Sequence, residues 1–544
     1  MFLNIPGMKP STRLGVLMGL ILLVFLASRA TSTKQSRAEF ITNDSVARAQ
    51  VPSWSQQDMD FFLHGSMSTE AVPEAVLRAF IKIYPDLFPK SDLSHFGLVP
   101  DPEFGWPIGF SRKQVPHLGG MSAVGVNCAA CHVTQISAKG SDKPVRILGV
   151  ASHFDAEAYF GAVTVAGFRT GQAENMKKFL LAYLSDGATE KISQVSFDSA
   201  WTTQQQKIES AISADPSGSK EISPGALHKI DGGELQLNGK KIDEADLAAL
   251  SHSMLKLFHN MRAALHIPDQ PPEKVPPPSG PGRNDAFGLL SASLFVAPQP
   301  PAPVKYGLVW NVAHRQWVHW DANTRSPLGR NLLASLGLGA PLIGKHGELD
   351  FAAVKRQTDI SEQIQAPHYP WKIDKAAAKR GATVYQANCI SCHGGEESDK
   401  RLHPPSETGT DPQRATLFSQ TQADRFNKFL AELEIAGYQA SKITGLRSTQ
   451  KYWAASMPGV WARSPYLHNG SVRTMEELLT TPNERAKTFR RGSRVYDPEK
   501  IGFTDEGAYV FDTAGPGNAN TGHDYGTTLA SDQKRDLMEY LKSL

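Results

Sequence analysis

All four cysteines of this 544-residue chain fall into one repeated pattern. Cys128, Ala129, Ala130, Cys131 and His132 spell C-x-x-C-H, and so do Cys389, Ile390, Ser391, Cys392 and His393. The spacing has a chemical reason. Two thiols three residues apart can add across the two vinyl groups of one haem, and the adjacent His then lies under the iron as an axial ligand. Zinc held by four thiolates, or a pair of disulfide-exchange motifs, would also use C-x-x-C, but neither requires a His after the second Cys in both copies. Two copies that use every cysteine therefore imply two covalently bound c-type haems, with His132 on the iron of the first and His393 on the iron of the second.

Covalent attachment of this kind takes place outside the cytoplasm, and the N-terminus agrees. Lys9 and Arg13 precede the apolar run Leu14 to Ala27, followed by Ser28, Arg29 and Ala30. This reads as an export signal over residues 1–30. The run is shorter than the ~20 residues that cross a hydrocarbon core, so cleavage is expected, with an uncleaved membrane anchor as the alternative. A periplasmic location follows. The formal charge of +3 comes from Lys9, Arg13 and Arg29, and without them 54 basic residues face 54 acidic ones. No basic surplus remains to suggest nucleic-acid binding. At 40% hydrophobic and 20% charged residues, the chain is neither disordered nor a polytopic membrane protein.

A chain this long should hold at least two cores. Around the second attachment site, Asp374 can cap a helix running from Lys375 through Val384 and Tyr385 toward Cys389. Leu537, Tyr540, Leu541 and Leu544 recur at helical spacing behind a cap candidate at Ser531, which predicts a closing amphipathic helix. Residues 366–544 are accordingly read as a C-terminal haem domain. Residues 31–365 are read as an N-terminal one, whose C-x-x-C-H follows a stretch from Gly119 to Asn127 with no helical period and is thus expected on a loop. Helices are expected near Ala71 to Tyr84 and Ala173 to Leu184, and from Leu247 to Leu265. A polar insertion around 186–246 and Pro-rich loops from 268 to 303 complete this half.

Beyond the haem motifs, Asn311 to Asp321 (NVAHRQWVHWD) resembles the segment between the two haem motifs of bacterial di-haem cytochrome c peroxidases. His319 stands where that family has an aromatic residue, and Ala322 and Asn323 stand for its Gly-Arg. Ser464 to Ser471 (SPYLHNGS) is similar to another segment of the same superfamily. The strings 409–412 (GTDP), 459–461 (GVW), 492–494 (GSR), Asp497 with Pro498, and 522–526 (GHDYG) are similar to its branch containing the rubber oxygenases, as are 62–67 (FLHGSM) and 282–288 (GRNDAFG). The resemblance implies a mainly α fold with two cytochrome c-like haem domains facing each other, long loops and little β structure. It also implies that the N-terminal haem reacts while the C-terminal haem relays electrons.

Site residues follow from the same resemblance. Trp320 matches the Trp between the two haems that helps pass electrons, with Trp317 as its rival. His523 matches the His that caps the second haem, giving that iron two imidazoles, against Met457 and Met475 as competing sixth ligands. His468 is expected to support the site through hydrogen bonds at the interface, or merely to pack the second haem. For the first haem, His64, His117, His153 and Met121 are more naturally structural, so its sixth position is expected open or exchangeable. Asn311 matches a position near an inter-domain calcium in the peroxidases, but its segment lacks the acidic ligands calcium wants. The leading expectation is a peroxidase-like or oxygenase-like enzyme acting with hydrogen peroxide or dioxygen, with a redox protein as electron donor. The alternatives are a non-catalytic electron-transfer cytochrome with both irons six-coordinate, and an enzyme that oxidises residues of a partner protein.

Overall fold

The helix expected to lead into the second attachment site runs from Lys375 to Asn388. Asp374 caps it, its carboxylate accepting from the amides of Ala376 and Ala377, both at 3.0 Å. The closing helix Ser531–Lys542 packs across it, with Leu537 and Leu541 buried. Ser531 is the first helical residue rather than the cap. Ala530 occupies that position, and the side chain of Gln533 reaches back to its amide. Gly381 makes the crossing close, since a Cβ there would lie 1.9 Å from the carbonyl oxygen of Asp536.

This computed structural model describes residues 45–115, 121–171, 173–185, 227–229, 235–237, 240–241, 279–295, 300–313, 315–341, 346–347, 349–394, 401–435 and 438–544. The expected export signal, most of the expected polar insertion, the helix expected from Leu247 to Leu265, the prolines from Pro268 to Pro278 and His117 lie outside the described residues.

In the N-terminal half, the expected helices occupy Glu74–Ile83 and Ala173–Ser185. The expectation of a loop before Cys128 is corrected. Met121–Val126 is a strand, antiparallel to Phe110–Val115 on one side and to Val72–Pro73 on the other. All six of its residues are buried. A strand covered on both faces shows no alternation, so the lack of a helical period hid a strand.

The expectation of little β structure is likewise corrected to a mixed fold, helices interleaved with small sheets. The strands are mostly two to six residues long, too short for a pattern to emerge in sequence. One four-stranded sheet matters for the site. Val133–Ala138, directly after His132, pairs antiparallel with Pro144–Leu148 and parallel with Val495–Asp497 from the far end of the chain. Packing therefore continues across residue 366. One apolar cluster takes Phe62, Cys128, Ile136 and Ile147 together with Trp461, Tyr466, Tyr496 and Leu537. A second gathers Phe80, Phe96, Phe110, Phe154 and Phe179, and a third Phe287, Leu332, Phe351, Phe418 and Phe426. Among the described residues no helix is long and apolar enough to cross a membrane.

Candidate haem sites

Asn127 turns the buried strand into the short helix Cys128–His132. Its side-chain oxygen accepts from the amide of Ala129 at 2.9 Å, capping the helix, while its amide nitrogen donates to the carbonyls of Phe62 and Gly65. The FLHGSM string thus fixes where the first attachment motif starts. His132 follows, its ring near the Gly307 backbone and with Tyr306 as its ring neighbour at 6.4 Å. Burial pushes the imidazole down to about 3, aided by Arg330, which keeps it in the neutral form that binds metal.

His64 and His153, named for the first site, have structural partners. His64 uses both ring nitrogens, on the Phe110 carbonyl at 2.9 Å and the Asp101 carboxylate at 3.0 Å. His153 bonds Thr134 at 3.1 Å, and Met121 is fully buried in the core. His319, in place of the family's aromatic, sits at φ +71° with Nδ1 held by Asn323 and Thr324 at 2.9 and 3.1 Å. Asn311 is exposed, and among the described residues no three His, Cys, Asp or Glu side chains converge as a metal site. The four cysteines do not gather into such a group. Burial pushes Cys128 and Cys389 up to about 11 and Cys131 up to about 12, opposite to the activated thiolates that exchange disulfides.

At the second site, His393 Nδ1 faces the Ala455 carbonyl at 3.0 Å, which leaves its other nitrogen free to ligate. Facing it is His523, the two ring centroids 6.2 Å apart. A metal–imidazole bond of about 2 Å on each side, plus ~1 Å from each nitrogen to its ring centre, adds to about 6 Å. The pair fits one iron between the rings. Nδ1 of His523 is buried with no hydrogen-bond partner outside its own residue. Burial pushes His523 down to about 4, with His393 and Arg485 adding to the effect. Of the competing ligands, Met475 is buried at the start of the short helix Met475–Leu478, and Met457 lies half-buried against the apolar cluster shared by both halves.

The loop that carries His523 is gripped from several sides. Its amide donates to the Thr408 carbonyl at 2.8 Å, and a Cβ on Gly522 would meet Gly409 at 2.1 Å, so the GTDP and GHDYG strings are in backbone contact. Asn469 donates to the Gly517 and Ala519 carbonyls, and Ser471 to that of Ala519. Arg485, buried at 2% exposure, donates to the carbonyls of Asn520 and Gly522 (both 2.7 Å), Leu478 (3.1 Å) and His523 (3.2 Å). Sequence reasoning missed Arg485. It sits in a polar run, and only its acceptors, up to 38 residues away, reveal it.

His468 is buried and stacked on Tyr452, centroids 4.2 Å apart, and its carbonyl accepts from the Lys305 amide. Trp320 donates from its indole nitrogen to the Lys305 carbonyl at 2.9 Å and lies 6.3 Å from Trp453, nearly parallel to it. Trp317, in the two-residue strand Trp317–Val318, lies under Arg447 instead.

A family described as RoxA-like, cytochrome c-like, matches residues 451–490, and one described as cytochrome C oxidase, cbb3-type, subunit III, matches residues 376–427. The uncharacterized protein y4iJ of Sinorhizobium fredii is 26% identical, covering 90% of this chain and 92% of its own length. A second protein of that organism, y4iM, is 27% identical over 50% of this chain and 72% of its own. A solved structure of Kuenenia stuttgartiensis hydrazine synthase shares 16% identity over 35% of this chain and 55% of that one, with a TM-score of 0.16. Both matched stretches are thus similar to cytochrome c domains, which implies covalently bound c-type haem. Within that class the chain resembles the RoxA-like branch of di-haem cytochrome c enzymes, to which the sequence strings also pointed.

Proposed function

We propose that the chain is a periplasmic di-haem redox enzyme, reactive toward hydrogen peroxide or dioxygen at the first attachment site and relaying electrons at the second. The observation that carries this reading is the difference between the two proximal histidines. His393 faces a second imidazole, that of His523, whereas the ring neighbour of His132 among the described residues is Tyr306. Two imidazoles saturate an iron and suit it to electron transfer; an axial position without a protein ligand suits one to binding a small oxidant. A c-type haem bound at each motif supplies the redox chemistry. The chain's own part is to fix that difference. His523 is clamped in place by Arg485, Asn469 and Thr408, and His132 is held neutral by burial.

Trp320 is read as the relay between the sites, and His468 as the residue whose backbone holds Lys305 beside it. The alkaline pyridine spectrum of denatured protein should report two c-type haems, and neither should be extractable into acid acetone. Carbon monoxide added to the reduced protein should shift the bands of one haem and leave the other unchanged. Two unresponsive haems would instead make the chain an electron carrier.

A further inference from the structure

A route for electrons between two sites can be sought as an unbroken chain of bonds, hydrogen bonds and packed rings. One such chain links the two proximal histidines. From His393, Nδ1 meets the Ala455 carbonyl at 3.0 Å, and two residues back along the backbone is Trp453. The strand Tyr452–Trp453 is held by antiparallel pairing with Leu402–His403. The Trp453 ring lies 6.3 Å from that of Trp320 at an interplanar angle of 22°, and its amide donates to the Trp320 carbonyl at 3.2 Å. The indole nitrogen of Trp453 also donates to the His319 carbonyl, so ring and backbone are both fixed against this segment. The Trp320 indole then donates to the Lys305 carbonyl at 2.9 Å. The next residue, Tyr306, sets its ring against His132 with centroids 6.4 Å apart, its hydroxyl tied to the Phe154 carbonyl at 3.0 Å.

We propose that Trp453, stacked on Trp320, couples the second attachment site to the first, along the route His393, Ala455, Trp453, Trp320, Lys305, Tyr306, His132. This rests on the reading of Trp320 as the relay and extends it on both sides. It also gives Trp320 one defined partner at each end, a stacked indole and a carbonyl.

The surroundings of Trp453 say how the route works. The guanidinium carbon of Arg315 lies 3.4 Å from the centre of its ring. Arg carries its charge at every physiological pH, and it is attracted to an indole with its full electron density. Removing an electron from that ring would set two positive charges face to face. Trp453 therefore conducts without being oxidised. One electron enters at His393 and one leaves at His132. Both indoles end with the electrons they began with, and their N–H protons stay in the bonds to the Lys305 and His319 carbonyls.

The test uses the full-length protein with both haems bound and fully oxidised. A pulse of solvated electrons reduces a fraction of it, and equilibration between the haems is followed from their separate bands, so no reaction with peroxide or dioxygen is needed. Trp453→Phe should slow equilibration, as should Trp320→Phe, with both midpoint potentials and the low-spin signal of the second haem kept. Trp317→Phe should run at the parental rate. Trp453→Tyr serves as the second comparison where Phe disturbs the second haem, and it should also be slower than the parent. If Trp453 variants equilibrate at the parental rate while Trp320→Phe is slow, Trp453 is off the route and the reading of Trp320 stands. Parental rates in both overturn the two together. After peroxide addition, an indole radical seen by electron paramagnetic resonance and lost in Trp453→Phe would overturn the closed-shell bridge.

Discussion

His523 holds a backbone conformation that its residue type rarely adopts, φ +51°, directly after Gly522 at φ +69°. A non-glycine residue persists in this region only where its surroundings hold it there. Here the holding group is Arg485, whose guanidinium donates to four carbonyls of two segments. Arg485→Gln should cost about 3 kcal/mol, because carbonyls accustomed to a charged donor are left with a shorter, neutral one. It should also let the His523 ring leave its axis. The measurement is electron paramagnetic resonance of the oxidised protein. His523→Ala should convert the second haem from low to high spin and leave the first as it was. Arg485→Gln should give a mixture of the two states, and Arg485→Lys a smaller fraction of high spin. An unchanged low-spin signal in His523→Ala would hand the ligand role to Met457 or Met475. His523 was visible in sequence through the resemblance of its GHDYG string to the rubber-oxygenase branch, which implies a capping His there. Arg485 was not, since its meaning lies in acceptors distant along the chain.

The elements around the second site were easier to read than those around the first, for a reason of periodicity. The helices Lys375–Asn388 and Ser531–Lys542 each bury one face, so a helical pattern shows in their sequence, and the Asp374 cap of the first stands out. The strand Met121–Val126 is buried on both faces and short, so its residues carry no period, and the two-residue strands elsewhere have no room for one. What sequence could not show of the helix pair is the closeness of its crossing. At Gly381 a methyl group would lie 1.9 Å from the Asp536 carbonyl oxygen and 2.5 Å from its carbon, both backbone atoms of the facing helix. No side chain can swing aside to relieve that contact. Although Ala favours a helix over Gly, Gly381→Ala should therefore destabilise the protein by about 1–3 kcal/mol. Denaturant unfolding followed at the second haem would show it. A neutral or stabilising effect would mean that the helices separate at little cost.

At the scale of the molecule, two attachment motifs in two halves of a sequence suggested two haem domains, and that much rests on local pattern. Long-range pairing is what the pattern could not contain. Val495–Asp497 joins the sheet through Val133–Ala138, the strand that leaves His132, with Val495 opposite Ser137. Tyr496 within it is 1% exposed, donates to the Trp461 carbonyl at 2.7 Å, and packs against Trp371 and Phe503. The apolar cluster that holds Tyr496 also takes in Cys128 of the first motif and packs against Cys389 of the second. If the halves share this core, loosening it should be felt at both haems together. Tyr496→Ala removes a large buried ring and a hydrogen bond, and should destabilise the protein by about 3–5 kcal/mol. In guanidinium titrations followed separately at the two haems, the parent should show coincident midpoints, and Tyr496→Ala should lower both by the same amount. A fall at one haem alone would mean that the halves unfold independently, and that the shared strand is a contact rather than a common core.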